Sequence, residues 1–97
     1  MDKINTLFRE INVCLAGESV TDRRLDEVKG PAYTRSDDIF IWSFTAQGRD
    51  LTEAERAAAE EYFQSVVDQI QHPSVTIQNA AMVYDLSKAE QPYHTLN

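Results

Sequence analysis

Cysteine occurs once in this chain, as Cys14, so no internal disulfide can form and no pair of thiolates is present to hold a zinc ion. Stability must come from packing. Glycine and proline occur three times each, too few for a linker or fibrous composition, and no glycine falls in a phosphate-cradling arrangement. Nucleotide chemistry therefore has no recognisable motif, and no cofactor is expected. No apolar run approaches the roughly 18 residues that a membrane span needs. Asp2, Lys3, Arg9 and Glu10 stand where a signal peptide requires an uninterrupted apolar segment, so a cytoplasmic location is expected.

Positive charge is also scarce. Nine basic residues against 16 acidic ones leave a net charge of -7, a sign that repels nucleic acid and anionic membranes. Direct contact with either is not expected. The imbalance is uneven, because residues 1–49 are close to neutral at -1 while residues 50–97 carry -6. The acidity belongs to the C-terminal half.

What remains is the composition of an ordinary globular domain. The chain has 97 residues, 42% hydrophobic and 26% charged, enough for one modest core. No repeat or low-complexity run divides it, so residues 1–87 are expected to form a single domain and residues 88–97, polar and aperiodic around Pro92, a flexible tail in which Tyr93 is the one candidate anchor.

The strongest signal lies in residues 51–71. Thr52 followed by Glu55 is a capping box, in which the hydroxyl and the carboxylate each satisfy a backbone N–H of the first turn. Ala59, Tyr62, Phe63, Val66, Val67 and Ile70 then recur at helical spacing on one stripe that must be buried, and Pro73 is expected to end the helix. A first helix over residues 2–16 follows from Ile4, Leu7, Phe8, Ile11 and Leu15, with Gly17 where a left-handed terminator belongs. Residues 21–28 fit two helical turns capped by Thr21, with Val20, Leu25 and Val28 inward and Arg23 near Asp26 and Glu27. Gly30-Pro31 breaks the chain, and the segment up to Asp37 reads as a loop.

Residues 38–46, DIFIWSFTA, are aromatic and β-branched and read as a strand whose Phe40, Trp42, Phe44 and Ala46 face the core. Residues 47–50 form a turn around Gly48. Residues 74–86 fit strand and helix patterns about equally; strand is the reading adopted, since a lone strand would leave both rows of backbone groups unpaired. The expected fold is α+β: two main helices on a small, mainly antiparallel sheet, in the order α, short α, β, α, β and a further β. With so few strands, residues 39–46 are expected to expose an edge through which a homodimer could form.

Candidate chemistry is sparse. Cys14 sits beside a helical apolar stripe with no base near in sequence, so it reads as a small buried side chain. His72 lies at a helix end and His94 in the expected tail, and neither has a metal or triad partner nearby. Arg23, Arg24, Lys29 and Arg35 form the only local cluster of bases, interleaved with acids that favour local ion pairing. Asp37-Asp38 and Glu60-Glu61 are paired in sequence without a sign of burial. The distinctive feature is the face of the second main helix opposite its apolar stripe, where Glu53, Glu60, Glu61, Gln64, Asp68 and Gln71 fall in roughly one quadrant with no lysine among them. That strip is either a solvated surface or a contact for a protein with a basic surface. A non-catalytic binding module of the inhibitor or immunity type is the expected function, with a homo-oligomeric accessory protein as the alternative and a small enzyme third.

Overall fold

The computed structural model describes residues 3–87, with side chains from Thr6 onward. The expected tail, including Tyr93 and His94, and the Ile4 side chain lie outside the described residues. Helix α1 spans Lys3–Gly17. Leu7 and Ile11 are buried on its inner stripe, and Phe8, Cys14 and Leu15 pack against the same core, as their spacing predicts. Gly17 is the last helical residue and does not take a positive φ. The helix end is tightened instead by Glu18 N–H donating to Leu15 O at 3.1 Å.

The two-turn helix expected over residues 21–28 contracts to a single 3₁₀ turn, Arg23–Leu25, capped by Asp22 rather than Thr21. The Asp22 carboxylate accepts the Arg24 backbone N–H at 2.9 Å and also grips the Arg24 guanidinium. A carboxylate that takes both bonds outcompetes the threonine hydroxyl. Leu25 is buried and Val28 packs on the core, but Val20 is exposed.

The largest departure follows. Residues expected to form a loop make strand β1, Val28–Ser36, paired antiparallel with β2, Ile39–Ala46. A bulge between Lys29 and Ala32 absorbs the Gly30-Pro31 pair, which is how a strand accommodates proline, at an edge and off the regular ladder. Gly30 sits there at φ 134°, and a Cβ on it would lie 2.7 Å from Ser43 O. Only glycine fits this bulge. The β1–β2 turn is Asp37-Asp38, with Asp37 at φ 54°, a region that aspartate tolerates better than most residues.

Helix α2 spans Glu53–Ile70 with both bonds of the capping box formed. Its buried stripe is Ala59, Phe63 and Val66, joined by Ala58, with Tyr62, Val67 and Ile70 partly covered. It ends at Gln71, which adopts the left-handed conformation and donates its N–H to Val67 O. The stop therefore precedes Pro73 by two residues. Residues 75–85 form the hairpin of β3, Val75–Gln78, and β4, Ala81–Asp85, turning through Asn79 and Ala80 at φ 52° and 62°; two positive φ values in a two-residue loop match the twist of the strands.

The four strands make one antiparallel sheet in the order β1-β2-β4-β3. The α+β architecture is as expected, with β1 as an additional strand. Both helices pack on one face of the sheet, where Phe8 meets Phe40 and Trp42, and Phe63 meets Phe44. Trp42 is 1% exposed. Strand β2 is not an edge, because β1 pairs along one side and β4 along the other. That overturns the premise of a dimer through Ile39–Ala46.

Candidate functional site

The outer face of α2 is fixed from within. Its first turn is tied down by Glu55, a residue only 6% exposed, whose carboxylate accepts the Thr52 backbone N–H at 2.8 Å and N–H groups from the two terminal nitrogens of the Arg49 guanidinium at 2.8 and 2.9 Å. A fork-on-fork pair completes the cap, and Arg49 with these backbone bonds holds the Glu55 carboxyl down at about 2. Arg49 is missed by sequence reasoning, since a base in a turn carries no helical signature until the fold brings it against the cap. Farther along, the Tyr62 hydroxyl donates to Glu18 O at 2.8 Å and the Gln69 amide donates to the Glu18 carboxylate at 2.6 Å. These bonds lash the link after α1 to the side of α2.

On that anchored helix Glu53, Glu60, Gln64, Asp68 and Gln71 are all exposed, interspersed with the exposed small residues Ala54 and Ala57. Among the described residues no cation pairs with Glu53, Glu60 or Asp68. Asp68 accepts a bond from the Gln64 amide at 2.8 Å. Glu61 differs, because its carboxylate meets the Arg24 guanidinium at 2.7 Å and that guanidinium is shared with Asp22. Hydrogen bonds from the Arg24 guanidinium and from its backbone N–H lower the Asp22 carboxyl to about 2. Glu61 thus marks the border of the strip and is partly neutralised. Helix rise separates Glu53, Glu60 and Asp68 by about 10 to 12 Å each along the axis, a row of carboxylates on a rigid rod.

The other candidate residues are not brought together. Arg24 is drawn into its ion pairs, while the Arg35 guanidinium lies over the Phe40 ring at 4.9 Å and donates to Asp37 O. His72 Nδ1 accepts the Ser74 backbone N–H at 3.2 Å, with Ser74 Oγ at 2.6 Å. Ser74 is 1% exposed, so this contact closes the turn into β3 and offers no accessible hydroxyl. Cys14 borders an open groove of about 460 Å³ between α1 and the end of α2, shared with Arg9, Val13 and Ile70. Burial, with Glu18 nearby, pushes its thiol up, opposite to what a nucleophile requires. Among the described residues no group of three metal-ligating side chains converges, and no helix is long and apolar enough to cross a membrane.

No family model, curated protein or solved structure matches this chain.

Proposed function

We propose that this protein is a small acidic binding module whose α2 outer face docks on a basic surface of another protein and blocks an anionic-ligand or nucleic-acid site there. One observation carries the reading: Glu53, Glu60 and Asp68 stand exposed and without a cation among the described residues, on a helix held rigid by its cap and its buried stripe. Fixed charges of one sign steer an oppositely charged partner, and rigidity spares the ordering cost that flexible acids would incur on binding. Ala54 and Ala57 leave room between the acids for long lysine and arginine side chains. The cytoplasm, where no disulfide is needed, suits a chain with one cysteine.

Affinity capture with the intact chain and with the Glu60→Lys/Asp68→Lys variant tests this. A protein retained at low ionic strength by the intact chain, released as salt screens the contact, and lost to the variant supports the reading. Equal capture by both chains, or none at low salt, overturns it.

A further inference from the structure

We propose that a second copy of this chain adds antiparallel to β1 across a two-fold axis, joining two four-stranded sheets into one of eight strands. This surface is separate from the acidic face of α2. Strand β1 closes one side of the sheet, and residues 32–36 are exposed along its whole regular run. Tyr33, on this strand, is 47% exposed, a large aromatic standing at the rim whose inner side packs against Phe8, Phe40 and Trp42 while its outer side is open.

The backbone is set out for such pairing. Ser36 and Ile39 flank the two-residue turn, and the pair closing such a hairpin exchanges both of its hydrogen bonds, after which bonded and non-bonded pairs alternate. Ser36, Thr34 and Ala32 therefore bond to β2, whereas the N–H and C=O groups of Tyr33 and Arg35 point to the open side. A two-fold axis through Thr34 places Tyr33 of one copy opposite Arg35 of the other, twice, and satisfies all of these groups with four hydrogen bonds.

The side chains suit that register. Each exposed tyrosine ring receives a guanidinium across the strands, an attraction Arg35 already shows toward Phe40 within one chain. On the opposite sheet face Thr34 meets Thr34, and Ala32 meets Ser36. No like charges are opposed. Residues 28–36 carry Lys29 and Arg35 and no acid, so this is where a chain of net charge -7 repels its copy least, and the turn acids Asp37 and Asp38 fall toward the Lys29 end of the other copy. Pro31 and the bulge stop the ladder beyond residue 32, which prevents the two strands from slipping past one another. Five residues per strand make a small contact, so the association is weak and concentration-dependent.

Sedimentation velocity on the full chain between about 10 and 500 µM reads that dependence. The expected result is a shift toward twice the 11.0 kDa chain mass. Thr34→Lys, an exposed change that sets two lysines face to face at the axis, weakens the association by about tenfold or more, while Gln78→Lys on β3, at the opposite edge of the sheet, leaves it unchanged. As an independent readout, Thr34→Cys in a Cys14→Ser background becomes disulfide-linked under mild oxidation, because non-bonded antiparallel pairs sit at cross-linking distance, and Thr45→Cys in the same background does not. A single-chain mass at every concentration with no Thr34→Cys cross-link overturns the proposal, as does a dimer that Thr34→Lys leaves intact.

Discussion

Strands β1 and β2 are neighbours in one hairpin, hydrogen-bonded along most of their length, yet they belong to different physical worlds. Strand β2 is central, and its Phe40, Trp42 and Phe44 are buried under both helices. Strand β1 lies outermost and keeps only two partly buried positions, Val28 and Pro31. The same extended backbone is held by side-chain burial in one case and by main-chain pairing to a well-buried neighbour in the other. An edge strand needs no apolar alternation of its own when the adjacent strand supplies the template.

Truncation in β2 should therefore have the largest effect. Trp42→Ala removes an indole that is 1% exposed, packs against Phe8 and Phe40, and donates its N–H toward the Asn12 side chain. A loss of about 3 to 5 kcal/mol is expected in chemical denaturation. A loss below about 1 kcal/mol there would break the comparison, placing the core elsewhere. Next is the one position where β1 itself is demanding. Gly30→Ala puts a methyl 2.7 Å from Ser43 O at φ 134°, and should cost on the order of 1 to 3 kcal/mol although the residue is exposed. A neutral result would show that the bulge can be rebuilt.

The cap of α2 ranks below both. Thr52→Ala removes the hydroxyl that accepts the Glu55 N–H at 3.1 Å and should cost about 1 kcal/mol. Acid attacks the same cap from its other half. The Glu55 carboxyl is lowered from an ordinary 4.5 to about 2 by Arg49 and the Thr52 N–H, so its contribution is fully present above about pH 4.5 and is lost as pH falls through about 2. Denaturant midpoints measured over that window should fall more steeply for the native chain than for Glu55→Gln. Parallel curves would show that the pair does not stabilise the fold.

At the small end, Glu60→Lys/Asp68→Lys on α2 and Thr34→Lys on β1 should each leave the stability of the single chain within about 0.5 kcal/mol. Such indifference is what separates an exposed position from a core one. A marked loss in either variant would move that residue from the first class to the second.

How much was legible follows from the same contrast. Helices α1 and α2, strand β2 and the turn at Gly48 were readable because burial imposes a period of 3.6 or 2 on the side chains, and period is visible in one dimension. The acidic strip on α2 was readable for the same reason, and its residues are exposed as expected. The fate of Glu61 was not, since Arg24 reaches it from 37 residues away. Nor was Arg49, whose role at the cap depends on the turn folding back.

The sequence by itself determined the α+β class, the buried stripe and start of α2, the aromatic face of β2 and the acidity of the C-terminal half. Each of these is written in local spacing, capping chemistry or net charge. Only the tertiary structure decided that residues 28–36 form a strand, that β2 is enclosed between β1 and β4, and that the sheet's edges belong to β1 and β3. Strand order is a matter of which backbone groups find partners far along the chain, and every residue's N–H and C=O are chemically alike except proline's, so nothing in the side-chain pattern records it.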